Sequence, residues 1–220
     1  METLWTMLLG LFTSFLGFLQ PSIRDCSCPE NQFTSTGSIY QYDFSNGKSI
    51  VACGYLIEDI ADSTLSEFVL AECGNDEIIG FWDAMTTCEI TFSHDTLTLK
   101  ELYQLPLSNN FIDQEVVWTI EKLYYNENDV LQRSKHINQN LMLFSDSQIK
   151  QILSDYESSS KELNEQEMCL LDRLFVATLS GDEQSKAFFL AFGEAHPELD
   201  GAFLHQYRIL QDMLQAWEER

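Results

Sequence analysis

Basic side chains are scarce in this chain of 220 residues, which has 12 lysines and arginines against 35 acidic residues. The formal net charge is −23, and the acidic excess runs through both halves of the sequence. Such a surface repels phosphate backbones and anionic lipid headgroups, so nucleic acid is disfavoured as a partner. The charge suits solubility in a salty or extracellular medium, and it would attract a basic partner.

The short motifs of common catalytic and cofactor sites are also missing. The sequence has no H-E-x-x-H, G-x-S-x-G, G-x-G-x-x-G or G-x-x-x-x-G-K-[ST] segment, which removes the usual signatures of zinc proteases, serine hydrolases and phosphate-binding loops. Without a C-x-x-C pair, neither a zinc ribbon nor a thioredoxin-like site is indicated. No cofactor is therefore predicted, and a non-catalytic function is favoured over an enzyme.

One group of metal-binding residue types stands near the C-terminus, around the start of the last predicted helix. Its members are two histidines and three carboxylates: Glu194, His196, Glu198, Asp200 and His205. If they converged, they would suit a divalent cation. However, a helical separation of nine residues would place the two histidines about 180° apart. Acids near a helix start are also expected from the helix dipole alone. The set is thus a weak metal candidate.

An apolar run at the N-terminus bears on the compartment. Leu4–Leu19 is uncharged and shorter than the ~20 residues that a membrane-spanning helix needs. Residues 1–25 are therefore predicted to be a signal peptide, with an N-terminal anchor or a buried helix as the alternatives. The segment departs from the usual signal in having Glu2 instead of a basic start and no A-x-A cleavage site. The expected location is periplasmic or extracellular.

Five of the six cysteines lie in the first 88 residues, which suggests one or two disulfides in an exported protein. The candidates are Cys26, Cys28, Cys53, Cys73 and Cys88. Cys26 and Cys28 are too close to favour pairing with each other, so each is expected to bond a strand cysteine. The connectivity stays open. Cys169 lies in an apolar helical run and is predicted to be a buried free thiol.

Between residues 38 and 137 apolar side chains alternate with polar ones, which predicts strands. Asn46-Gly47 is a strong hairpin signal, and short turns separate the other segments. The predicted strands number about eight: Ile39–Phe44, Ile50–Leu56, Phe68–Glu72, Ile78–Trp82, Glu89–Phe92, Leu97–Leu102, Val116–Tyr125 and Val130–Ile137. Short connections favour an antiparallel meander. A sandwich, a barrel and an open sheet remain alternatives.

Near Ser145 the apolar spacing changes from every second residue to every third or fourth. Three to four helices are predicted from there to the C-terminus, with Asn164 as an N-cap, Gly181 after a helix end and Pro197 at the start of the last helix. The predicted fold class is α+β. The antiparallel β region spans residues 26–140, and the helical region, residues 145–220, packs on or beside it.

Several longer segments invite comparison with a known group. The runs GKSIVACGY, EFVLAEC, GFWDAMTTCEITF and DTLTLKE, with LFVATLSG and LDGAFL near the end, resemble uncharacterised secreted proteins of the Bacteroidota. The similarity extends over most of the chain after residue 26. The resemblance implies export and a bacterial envelope setting. It implies no activity, cofactor or catalytic residue.

These features predict an exported, non-catalytic binding or interaction protein whose ligand is an unknown protein or small molecule. No nucleic acid is expected as a partner, and no membrane in the mature form unless the N-terminal segment is retained. Among the strand aromatics, Tyr124 and Tyr125 must face opposite ways, which makes one of them a surface-site candidate. The alternatives are a carboxylate- or metal-dependent hydrolase and an inhibitor or immunity-like protein for a basic partner.

Overall fold

The computed structural model describes residues 26–29, 38–56, 64–74, 78–108, 110–141, 143–160 and 162–219. The signal peptide predicted for residues 1–25 lies outside this range. Seven strands are followed by four helices, so the predicted α+β class is confirmed. The strands are β1 (Ser38–Asp43), β2 (Ser49–Leu56), β3 (Thr64–Glu72), β4 (Ile78–Ser93), β5 (Thr96–Leu105), β6 (Gln114–Tyr125) and β7 (Leu131–Ile137). The helices are α1 (Asp146–Ser158), α2 (Glu165–Leu179), α3 (Glu183–Ala195) and α4 (Gly201–Glu218).

All seven strands belong to one antiparallel sheet in the order β1 to β7, which is the meander that short turns predict. Two of the predicted strands, Ile78–Trp82 and Glu89–Phe92, are the two ends of the single 16-residue strand β4. Between these two ends, Asp83 accepts hydrogen bonds from the Met85 amide and the Thr86 hydroxyl, contacts that are typical of a turn. The local turn chemistry is real, but the chain continues as one strand.

The sheet curls until distant turns touch one another. The Ser45 amide and hydroxyl of the β1–β2 turn both donate to Asp95 of the β4–β5 turn. Asn46 in the same turn donates to Asp129 of the β6–β7 turn at 3.0 Å. Because the sheet is linear and its outer strands do not pair with each other in the described residues, this is an open, strongly curled sheet.

Two of the three predicted helix boundary signals are confirmed and one is wrong. The Asn164 side chain accepts from the Gln166 and Glu167 amides at the start of α2, and Gly181 follows the end of that helix with φ +90°. However, α3 is capped by Asp182, and α4 begins after Asp200, not at Pro197. Proline suits a first helical position, but here it lies in a turn between the two helices.

Two apolar clusters fill the concave side of the sheet. The first consists of residues from β2 to β6, including Phe68, Leu97 and Leu123. The second joins the four helices to the sheet through Leu105, Leu107 and Trp118. Trp118 is the extra residue of a bulge in β6, since Thr119 pairs with Glu101 and Val117 with Leu102. The Trp118 ring packs on Phe175 of α2 and Trp217 of α4.

A third, smaller cluster lies on the other face of β2 and β3, where two disulfides tie down the segment 26–29. Cys26 bonds Cys73 and Cys28 bonds Cys53, so each N-terminal cysteine has a partner in or beside a strand. Two predictions are corrected. Cys88 is a buried free thiol on the sheet's other face, out of reach of these pairs, and Cys169 is a free thiol that is exposed.

The cysteine pattern predicts the order in which thiols react. In the native oxidised protein, Cys169 should be alkylated first, because it is exposed. The reaction should be slow, because partial desolvation and nearby Asp172 raise its thiol pKa. Cys88 should react only after unfolding, and four more thiols should appear after reduction. Intact mass after stepwise labelling measures this. Cys169→Ser should abolish the native reaction, whereas labelling of Cys88 in the folded protein would contradict the structure.

None of the helices in the described part of the chain is both long and apolar enough to cross a membrane. The two disulfides indicate an oxidising environment, since cytosolic reductants would keep such thiols free.

Candidate functional site

A polar layer separates the two apolar clusters on the concave side of the sheet, and Glu101 of β5 is at its centre. One carboxylate oxygen of Glu101 accepts from the Trp82 indole at 3.2 Å and from the Lys135 ammonium at 2.6 Å. The other oxygen accepts from the Thr119 hydroxyl at 2.6 Å. These partners come from β4, β6 and β7, so one carboxylate links four strands.

A second ion pair lies beside the first. Glu121 of β6, which is only 4% exposed, accepts from Arg133 of β7 at 2.6 Å. The Arg133 guanidinium also donates to the Ile79 carbonyl at 2.5 Å, across the curl of the sheet. A buried carboxylate without such a partner would be strongly destabilising. Arg133 therefore both neutralises Glu121 and holds the first half of β4 close to β7.

The electrostatics of the polar layer follow from burial and from these bonds. Burial alone would raise the pKa of Glu101, but the hydrogen bonds from Lys135 and Thr119 outweigh it, so this pKa is lowered. Burial, and then the Glu101 charge, raise the pKa of Tyr103. The same two causes raise the pKa of the Cys88 thiol. A raised pKa favours the protonated thiol, which is the less nucleophilic form.

A cleft of about 940 Å³ opens from the polar layer towards α4. Strands β5 to β7 and the residues just after β7 form one wall, and the second half of α4 forms the other. The apolar part of the lining includes Tyr103, Trp118, Ile137 and Met213, while Asp212 and Glu219 bring carboxylates from α4. A mostly apolar concave surface with a few polar groups is typical of ligand sites.

A smaller groove of about 370 Å³ continues from the cleft along the gap between β4 and β7. The two spaces share Glu101, Tyr103 and Lys135, so the Lys135–Glu101 ion pair stands at their junction. The Lys135 side chain is 49% exposed there, against 13% for Glu101. A ligand in the cleft would thus meet the lysine before the carboxylate.

The five predicted metal candidates do not form a site. Glu194, Asp200 and His205 are exposed and point to no common centre, and the described residues contain no cluster of His, Cys, Asp or Glu that could hold a metal ion. Asp200 instead precedes α4 as its N-cap residue. Only His196 and Glu198 approach each other, with 3.5 Å between Nδ1 and a carboxylate oxygen.

His196 is fully buried at the end of α3, where its ring packs on Phe192 at 4.3 Å. Its Nε2 lies 3.8 Å from a carboxylate oxygen of Glu167, which is 2% exposed and accepts from the Ser159 hydroxyl at 3.0 Å. The buried His196–Glu167 pair thus joins the corner between α3 and α4 to the start of α2. It lines neither of the spaces described above, so its geometry indicates a structural role.

Sequence reasoning missed the residues that build the cleft, because they come from three strands, the segment after β7 and one helix. One signal was available in the alternation itself. Glu101, Glu121, Arg133 and Lys135 occupy positions in phase with the inward apolar residues of their strands, and inward charges on a buried face are unusual. The predicted surface tyrosine is Tyr124, which is 40% exposed. Tyr125 instead packs edge-on against Phe44 at 4.9 Å.

Comparison with known proteins adds no relative: no protein-family model, no curated protein and no solved structure matches the chain. The class of the protein is therefore defined by its fold alone, as an α+β chain with a curled antiparallel sheet and a C-terminal helical group.

A half-buried carboxyl outside the cleft, that of Asp172, gives a pH prediction. Burial, with help from nearby Asp113, raises the pKa of Asp172 to about 6, although Gln206 donates to both of its oxygens. A carboxyl whose pKa is raised on folding destabilises the fold when charged, so the penalty is complete above pH 6 and disappears below its unfolded pKa near 4.

Asp172→Asn should therefore stabilise the protein by about 1–3 kcal/mol at pH 8, since one pKa unit corresponds to about 1.4 kcal/mol. The advantage should vanish below about pH 4, where the Asp172 carboxyl is neutral in both the folded and the unfolded protein. Chemical unfolding of both proteins across this pH range measures the difference. Equal stability at pH 8 would mean that the carboxylate is well solvated.

Proposed function

We propose that this protein is an exported, non-catalytic binding protein that holds its ligand in the cleft between β5–β7 and α4. The observation that carries the proposal is the cleft itself: about 940 Å³, with apolar, polar and charged side chains all contributing to its lining. This size lies in the range of ligand sites in general. Export is supported by the disulfides and by the apolar N-terminal run.

The polar groups of the cleft are arranged for binding more than for reaction. Glu101 and Lys135 neutralise each other, and a proton transfer agent would need a carboxyl or amine with a perturbed, unsatisfied charge. The Cys88 thiol near Glu101 is held protonated. A metal-dependent hydrolase has less support, because its five candidate residues are spread around the α3–α4 corner.

A fragment screen by ligand-observed nuclear magnetic resonance tests the proposal. The library should span apolar, sugar, nucleotide and short peptide chemistry, and Ala216→Trp should be measured in parallel, because Ala216 lines the cleft and a tryptophan there would fill it. We expect to find fragments that bind the natural protein and bind the Ala216→Trp variant with at least tenfold lower affinity.

The control is Leu190→Trp, which adds the same indole at a 49% exposed position of α3 away from the cleft. It should leave fragment binding unchanged. Thermal melts of both variants establish that they are folded. If no fragment binds, or if Ala216→Trp binds every fragment as well as the control does, the cleft is not a binding site.

A further inference from the structure

The outer edge of β7 pairs with no strand along the described chain, although the Arg133 side chain reaches the Ile79 carbonyl of β4 across the gap beside it. β7 is the last strand of a linear sheet, and its only strand partner among the described residues is β6. Natural proteins usually cover or shorten such an edge, because unpaired amides and carbonyls recruit another strand. This edge is seven residues long, and four consecutive residues in it, 133–136, are exposed.

The direction of the free backbone groups can be read from the flanking hydrogen bonds. Asn126 donates its amide to the Val130 carbonyl, and Asn138 donates its amide to the Trp118 carbonyl. Because bonded and non-bonded pairs alternate in an antiparallel ladder, Gln132, Ser134 and His136 bond β6. The intervening residues, Arg133, Lys135 and Ile137, therefore direct their amides and carbonyls away from the sheet.

The cleft borders this edge, and α4 faces it with carboxylates. Asp212 and Glu219 are exposed, line the cleft and stand seven residues apart, which places them on one side of the helix. On the β7 side, the Lys135 charge is already neutralised by Glu101. The rim therefore carries net negative charge in a protein of formal charge −23, which favours a cationic occupant.

We propose that β7 and the adjacent cleft seat an extended, basic peptide segment of a partner protein as an eighth strand of the sheet. The peptide backbone forms hydrogen bonds with the backbone groups of Arg133, Lys135 and Ile137. Alternate side chains of the peptide enter the cleft towards Met213. Its lysines or arginines pair with the carboxylates of Asp212 and Glu219. Strand addition of this kind takes its affinity from backbone hydrogen bonds and its specificity from pockets for alternate side chains. The inference rests on the proposed binding function and names the class of its ligand.

Synthetic peptides test the proposal. The probes are acetylated octapeptides in which lysine alternates with valine, leucine, phenylalanine or tyrosine, titrated by calorimetry into the full chain. One control peptide has glutamate in place of every lysine. A second control peptide has methyl groups on the backbone amides along the edge that would face β7. We expect binding by a lysine peptide, with at least tenfold weaker binding of both controls and a loss of affinity as salt is raised.

Matched variants locate the charge effect. The double variant Asp212→Lys, Glu219→Lys should bind the lysine peptide at least tenfold more weakly than the natural protein. The control is Glu157→Lys with Glu194→Lys, which makes the same change in net charge at exposed positions outside the cleft. It should change the affinity less than twofold. Equal affinity of the methylated peptide would overturn strand addition, and equal effects of the two charge pairs would overturn the acidic rim. If no lysine peptide binds while fragments still need the cleft, the inference fails and the binding function stands.

Discussion

Gly54→Ala is expected to destabilise the protein by more than about 3 kcal/mol, because an added methyl group has no room there. Its Cβ would lie 2.2 Å from the Phe68 Cβ, 2.7 Å from the Phe68 Cα and 2.8 Å from the Glu67 carbonyl oxygen. Two of these atoms are backbone, so a side-chain rotation cannot relieve the clash. A typical domain has only about 5–15 kcal/mol of stability.

The reason for the close approach is a bulge. The pairing of β2 with β3 shifts register between Cys53 and Tyr55, and Glu67 on the facing strand has φ 46°. Phe68 stacks on Trp82 at 4.6 Å, and the Trp82 indole donates to Glu101. Displacement of Phe68 would thus propagate to the polar layer beside the cleft.

Gly47→Ala is the matched control. Gly47 has φ +80° in the β1–β2 turn and no atom within 4 Å of an added Cβ. The Gly47→Ala variant should lose only about 1 kcal/mol of stability, the usual cost of placing alanine in the left-handed backbone conformation. Urea unfolding of the two variants gives the comparison. Similar losses for both would mean that β2 and β3 do not approach as closely as described.

Removal of the Cys28–Cys53 disulfide is the second large effect. The bond closes a loop with a sequence separation of 25 residues, for which chain entropy gives about 3.5 kcal/mol. Cys28→Ala with Cys53→Ala should lower the stability by this order, and reduction of the natural protein, which opens both bonds, should lower it further. Cys169→Ser, at an exposed free thiol, should change the stability by less than about 0.5 kcal/mol.

Chemical unfolding with and without a reductant measures these differences. In oxidising buffer, the double variant should unfold at a lower denaturant concentration than the natural protein. On reduction, its free energy of unfolding should fall by less than that of the natural protein. An unchanged unfolding midpoint in the double variant would show that residues 26–29 add no constraint to β2.

Local sequence rules predicted much of the fold, because its turns and caps are local. Asn46-Gly47 and the positive φ values of His94 and Asp95 close tight hairpins, and Asn164 caps α2. The misreading of β4 has a local cause too, since Asp83 makes turn-like bonds inside a strand. In each case the neighbouring residues determine the local backbone geometry. They do not determine whether the strand or helix ends there.

The cleft could not be predicted in the same way. It depends on the curl of the sheet, which follows from contacts between turns far apart in sequence, such as Asn46 with Asp129. It also depends on the bulge at Trp118, which turns that ring towards α4. The weak metal candidates stay apart for the complementary reason: His196 is buried at the end of α3, whereas Asp200 is exposed at the start of α4.

Residue-resolved amide hydrogen exchange of β7, with and without a lysine-rich peptide, tests the central inference most directly. Strand addition should slow exchange at Arg133, Lys135 and Ile137, whose amides face the open edge, and should change little at Gln132, Ser134 and His136, which already bond β6. A period of two in the protection is the expected result. Uniform protection along β7, or protection confined to α4, would contradict a peptide strand at this edge.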